Sequence, residues 1–213
     1  LKVTSPFNYK EQSVLYLPDR LPEPNSQDYI YKASEEIDRI LAEASRRNSH
    51  AGLLAIDLDG FKPINDEYGH QAGDTVLIRL AEEVGATVRR NEIFFRVGGD
   101  EFAILAPDAD EEEMVGLARR VGGKIADMRF VFGGREVQLT ASLGIALYPT
   151  HATSSEEIIA RADSAMYQAK LSGKNRWAAD VGGAYTMANF KGGRELSSVL
   201  GFTFNGDNED TDY

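Results

Sequence analysis

Apolar residues recur along this chain in two periods, and the places where the period changes divide it into elements. From Tyr29 to Arg47, residues Ile30, Ala33, Ile37, Ile40, Leu41 and Ala44 fall on one helical face, and Arg46 and Arg47 close the segment where the helix dipole favours cations. The run Ala51-Gly-Leu-Leu-Ala-Ile56 is short and apolar, which predicts a buried strand with Asp57 at its end. Val76, Leu77, Leu80, Val84 and Val88 make the stripe of a second helix opened by Gly73-Asp74. Two β-prone runs, Ile93–Val97 and Phe102–Leu105, flank Gly98-Gly99 and predict a hairpin with Asp100 and Glu101 at its turn. A third helix is predicted over Asp110–Met128, from Met114, Leu117, Val121 and Ile125 and an acidic start. Alternation from Val137 to Leu147, after the Gly133-Gly134 turn and before Pro149, predicts a long strand. Ser154-x-x-Glu157 is a capping-box pattern for a fourth helix through Lys170.

Helices interleaved with mostly hairpin-linked strands predict an α/β (α+β) sandwich on an antiparallel or mixed sheet, with no need for a doubly wound parallel one. The chain of 213 residues is long enough for one sizeable core. Residues 1–28 are proline-bearing and aperiodic, which suits an arm or linker, and periodicity fades again after Trp177. The reading is therefore an arm over 1–28, one domain over 29–178 and an extension over 179–213.

Charge and composition narrow the function. A formal net charge of −11 repels a phosphodiester backbone, so extended binding to nucleic acid is not expected, whereas a small phosphorylated ligand needs only local cations or a metal. With no cysteine, thiolate metal sites, disulfides and cysteine nucleophiles are excluded, and any metal is held by oxygen or histidine. No apolar run approaches the roughly 20 residues of a membrane span. No signal-peptide pattern appears either, so a cytoplasmic setting is expected.

Candidate chemistry concentrates in Ala55–His70, running on to Gly73-Asp74, and in the hairpin turn. Acids at a strand end and in the turn beyond it suit magnesium or manganese, which prefer carboxylate, carbonyl and water oxygens. Taken singly, such acids are usually just solvated. Asp100 and Glu101 change that balance, because a central sheet can bring them beside Asp57, where like charges are costly without a cation between them.

Arg96-Val-Gly-Gly-Asp-Glu-Phe102 carries the signature of the GGDEF diguanylate cyclases, and the resemblance extends over roughly residues 30 to 177. Asp57-x-Asp-x-Phe-Lys-x-x-Asn-Asp, Gly69-His70-x-x-Gly73-Asp74, Ser142-Leu-Gly-Ile145 and Ala162-Asp163-x-Ala-Met-Tyr-x-Ala-Lys170-x-x-Gly-Lys174-Asn-Arg176 match the family in order. The resemblance implies a palm-like sheet flanked by helices, as in polymerases and nucleotidyl cyclases. It implies that Asp57, Asp100 and the carbonyl of Leu58 hold Mg2+ or Mn2+, with Glu101 as a further ligand or proton handler. Gly98 and Gly99 would let the backbone approach the nucleotide. Asn65 and Asp74 would read the guanine edge, favouring GTP over ATP. The amides near Gly60 and Phe61, with Lys62, Lys170 and Lys174, would neutralise the phosphates. Each chain would supply half of an active site, so that a homodimer condenses two GTP molecules into cyclic di-GMP and releases two pyrophosphates.

Two features depart from the family pattern. Its Arg-x-x-Asp product-inhibition motif aligns with Arg89-Arg90-Asn91-Glu92, where glutamate stands for aspartate, and Arg120 completes a candidate site for cyclic di-GMP. The stretch that normally precedes the first helix is at best worn in Asp19–Asn25, which leaves the junction to a regulatory or sensory module open. Rival readings are a catalytically silent receptor for GTP or cyclic di-GMP and a hybrid cyclase that accepts ATP. The intact signature weighs against the first, and Asp74 against the second. His50, His70 and His151 are assigned no chemistry.

Overall fold

A computed structural model describes residues 29–181 and 184–190. The arm over 1–28, including Asp19–Asn25, and residues 191–213 lie outside the described residues. In chain order the elements are α1 (Tyr29–Arg47), β1 (Ala51–Asp59), α2 (Phe61–Tyr68), α3 (His70–Gly85), β2 (Ile93–Gly98) and β3 (Glu101–Pro107). They continue with α4 (Glu111–Asp127), β4 (Phe130–Phe132), β5 (Arg135–Val137), β6 (Thr140–Tyr148), α5 (Ser155–Leu171), β7 (Arg176–Val181) and β8 (Ala184–Asn189).

Six strands form one sheet in the order β2-β3-β1-β6-β7-β8, and β4 pairs with β5 in a separate hairpin. Within the large sheet only β6 and β7 run parallel. This is the mixed, mostly antiparallel sheet that the strand pattern predicts. β1 is central and buried along all but its last residue, which explains its unbroken apolar run. Its even-numbered residues Leu54, Ile56 and Leu58 pack with α2, α3 and α4, while Leu53 and Ala55 pack with α1 and α5. Each fully buried Leu or Ile contributes roughly 2 kcal/mol.

α5 lies unusually close to the sheet. A Cβ on Gly144 of β6 would run into the backbone carbonyl of Ala162 and the amide of Met166, so only glycine permits this approach. Ser154 caps α5 by accepting from the amide of Glu157 at 3.2 Å, although Glu157 turns its carboxylate to the Thr153 amide instead of closing the box. The reciprocal box is complete at α4, between Asp110 and Glu113.

Several elements differ from the sequence reading. α2 was not foreseen: it has eight residues and buries only Phe61 and Ile64, too short a stripe to register as a period. Pro63 sits in its first turn, where proline is tolerated. α3 begins at His70, ahead of Gly73. The strand predicted from Val137 is divided, because Gly133 and Gly134, both left-handed, close the β4–β5 hairpin and β6 starts at Thr140. Beyond Trp177 the sheet continues through β7 and β8, and Phe190 packs on Gly122 of α4.

Candidate active site

The end of β1 meets the turn of the β2–β3 hairpin. Asp57 and Glu101 are direct partners across the β1–β3 pair, which sets their Cβ atoms roughly 5 Å apart. The Leu58 amide donates to the Asp100 carbonyl at 3.3 Å, tying the turn to the same strand end. A bulge at Val97 shifts the β2–β3 register, and Gly99 takes the left-handed conformation (φ 50°). Arg96 braces this turn, donating through Nε and Nη2 to the Gly99 carbonyl at 2.9 and 2.6 Å. The alternation pattern did not single out Arg96; the clue available was its place three residues before the turn.

Asp57 is only 8% exposed, and burial pushes its carboxyl above the usual aspartate range, with Asp100 and Glu101 adding to the rise. Lys170 opposes it: its Nζ lies 2.6 Å from Asp57 Oδ2. Lys170 belongs to the last turn of α5, so the close seat of that helix on Gly144 sets how far the ammonium reaches.

Asp59, two residues on, has a different part. Its carboxylate accepts from Thr140 Oγ1 and Ser142 Oγ, both at 2.8 Å, and from the Asn175 amide at 3.0 Å. It is a structural bracket that fixes the turn Gly173–Asn175, whose three residues all have positive φ. Lys174 projects from that turn and is exposed. Sequence spacing alone could not tell Asp59 from Asp57, because the donors come from distant β6 and the turn after α5.

β1 passes into α2 through Gly60, which is left-handed at φ 85°, and no side chain caps the helix there. Its first amides therefore point outward at a strand end, an arrangement that suits anionic oxygens. Lys62 is exposed in the first turn. Asn65 and Asp74 are brought together at the α2–α3 junction: a Cβ at Gly73 would strike the Asn65 side chain, and Asp74 follows, exposed. An apolar groove of about 140 Å3 opens beside Glu101 on the α1–α5 face of the sheet, lined by Ile37, Phe95, Val97, Asp163 and Met166, and its walls do not suit a triphosphate.

Hard oxygen donors dominate this end of the sheet, and they fit Mg2+ or Mn2+ in kind. Among the described residues no three Asp, Glu or His side chains form a preassembled cage.

The corner holding Arg89, Glu92 and Arg120 lies at the other end of β2. Glu92 is 5% exposed and accepts from the Arg89 amide at 2.6 Å and from Arg120 Nη2 at 3.0 and 3.1 Å. The Arg89 guanidinium stays exposed.

A family model described as the diguanylate cyclase GGDEF domain matches residues 31–176, which include every residue of this site. The chain belongs to the GGDEF diguanylate cyclase domain family. A second model, described as a putative MetA-pathway of phenol degradation, matches residues 160–213, less than half of the chain. The bifunctional diguanylate cyclase/cyclic di-GMP phosphodiesterase MucR of Pseudomonas aeruginosa is 38% identical over 141 residues, covering 66% of this chain and 20% of MucR. The crystal structure of the GGDEF domain of YfiN (TpbB) from the same organism has a TM-score of 0.64 at 35% identity, over 68% of this chain and 90% of that one. The GGDEF domain of DgcB from Caulobacter crescentus, in complex with c-di-GMP, has a TM-score of 0.66 at 28% identity, over 70% and 88%. The GGDEF chain spans between 20% and 42% of the length of the first curated relatives it matches. No described helix is long and apolar enough to cross a membrane.

Proposed function

We propose that this domain is a diguanylate cyclase that condenses two GTP molecules into cyclic di-GMP. The observation that carries the reading is the pairing of Asp57 with Glu101 across β1 and β3, beside the tethered Asp100 turn. In this reading Asp57, Asp100, Glu101 and the Leu58 carbonyl hold Mg2+ or Mn2+. The bound metal lowers the pKa of an attacking hydroxyl and offsets charge on the phosphates.

The chain's own residues do the rest. The open amides at Gly60 and Phe61 and the ammonium groups of Lys62, Lys170 and Lys174 bind and orient the triphosphate. The left-handed Gly99, following Gly98, lets the hairpin backbone approach the nucleotide. Asn65 and Asp74 accept from the guanine N1 and N2 donors, which adenine lacks. Asp59 holds the Lys174 turn in register, and Arg96 holds the hairpin turn. One domain presents one nucleotide, so two copies meet for each 3′-hydroxyl to face the other's α-phosphate. In this reading the setting is the cytoplasm, where GTP is supplied, with control by a regulatory or sensory module that is attached or acts in trans.

The same reading assigns Arg89, Glu92 and Arg120 to cyclic di-GMP, with the exposed Arg89 guanidinium making the contact and Glu92 fixing Arg120 behind it. Arg89→Ala is expected to weaken cyclic di-GMP binding in equilibrium titrations.

The test of the cyclase is product formation from GTP with Mg2+ or Mn2+ across protein concentrations, with Asp100→Ala as control. Cyclic di-GMP that rises faster than first order in protein and disappears in the control is expected. Protein that binds GTP yet forms no product, even when dimerised by fusion, would make this a receptor domain.

A further inference from the structure

We propose that Lys170 is the resident counter-ion of Asp57, a positioning residue that a divalent cation must displace, so that metal binding itself releases the lysine to the triphosphate. The inference rests on the reading of Asp57 as a metal ligand and adds a role for the residue that occupies it. Asp57 is almost wholly buried, faces Glu101 across the sheet and adjoins the Asp100 turn, so it feels the charge of both neighbouring acids. The Lys170 ammonium is the group that sits against Asp57, at 2.6 Å from Oδ2.

The two ends of the lysine differ in freedom. Its backbone is fixed, because α5 lies directly on Gly144. Its stem is a flexible four-carbon chain, and the side chain is 31% exposed, so the ammonium has room to leave. A divalent ion at Asp57 outweighs a single ammonium in Coulomb attraction and repels it at short range. Lys174 stands four residues further along, and a freed Lys170 joins it as a second cation for phosphate oxygens. Metal and triphosphate then help each other bind, because each supplies what the other's arrival leaves unpaired, and such coupling is reciprocal.

The test uses the metal alone. Mn2+ binding to the whole chain without nucleotide is followed by the electron paramagnetic resonance signal of the free ion. Lys170→Met is expected to bind Mn2+ on the order of tenfold tighter than wild type, since the ion no longer competes with a resident cation. Adding Asp57→Asn to that variant should remove the gain. Affinity in Lys170→Met equal to or weaker than wild type overturns the proposal, as does tight binding that survives in the double variant. A second measurement needs no variant: acetylation of Lys170 in wild-type protein, read by mass spectrometry against Lys62, should rise when Mn2+ is added. Unchanged or falling reactivity overturns the assignment. Neither readout involves turnover. Tighter Mn2+ binding in Lys170→Met beside a wild type that makes no cyclic di-GMP would sink the cyclase reading and keep the counter-ion.

Discussion

Asp57, near the end of β1, and Glu92, just before β2, are both buried carboxylates at opposite ends of one sheet, and their surroundings differ in kind. Glu92 has its charge met by Arg120 through two hydrogen bonds and by the Arg89 amide. Among the described residues Asp57 has one ammonium, against burial and two neighbouring acids that together leave its carboxyl raised. A carboxylate whose partners are complete holds the fold together. One held by a single displaceable partner, among like charges, costs stability and is available for chemistry. The end of the sheet near Glu92 is closed in this sense, and the end near Asp57 is open.

Two substitutions test that division most severely. Asp100→Ala at the open end is expected to lower the initial rate of cyclic di-GMP formation by at least about a hundredfold, the scale of losing a group that stabilises transferring phosphates. Its melting curve should stay close to wild type. Substantial residual activity would show that the open end is not where the reaction occurs. Glu92→Ala at the closed end is expected to cost about 2–3 kcal/mol, because it leaves Arg120 partly buried with no carboxylate. In a domain of this size that is a fall in Tm of roughly 5–10 °C. A melt within 1 °C of wild type, itself about the noise of a weak surface pair, would remove the contrast.

Much of this was legible in the chain. The buried run of β1, the amphipathic α1, α3 and α4, and the hairpin around Gly98-Gly99 follow from period and turn chemistry alone, and the signature residues cluster where the strands end. The resemblance singles out Asp57 as a metal ligand, but spacing alone gives no reason to separate it from Asp59. Both sit on one face of β1, and only the neighbours of Asp59 on β6 and after α5 make it a bracket. Lys170 is similar: the family resemblance implies a phosphate role for it, while its contact with Asp57 depends on how closely α5 approaches Gly144. α2 and the β4–β5 hairpin were missed because each is too short to establish a period.

Asp59 offers the next smaller test, since it is a satisfied carboxylate placed at the open end. Asp59→Ala removes an acceptor with three donors and is expected to cost about 1–2 kcal/mol in urea unfolding. It should also raise KM for GTP several-fold with a smaller change in kcat, because the Lys174 turn loses its tether to β1. Equal losses in kcat and kcat/KM would instead make Asp59 part of the reacting centre and blur its distinction from Asp57.

The smallest expected effect lies at the closed end, in His151. This imidazole is 8% exposed, and its Nδ1 accepts from the Leu147 amide at 3.1 Å, so the neutral ring is the one that fits. Burial holds its pKa below the ordinary value of 6.5, outweighing Asp180 and Glu111, which pull the other way, while Arg161 adds to the lowering. With the folded pKa depressed, the unfolded chain binds more protons than the folded one between the two values, so stability rises with pH across that window. The penalty therefore appears as pH falls below 6.5 and is absent well above it. Stability curves of wild type and His151→Gln, measured from pH 8 down to about pH 5, should run parallel above neutrality and converge towards the acid side, the variant having the flatter limb. Limbs that stay parallel would mean that the ring protonates freely in the folded state. The closed end would then tolerate an uncompensated charge, and the difference from Asp57 would rest on position alone.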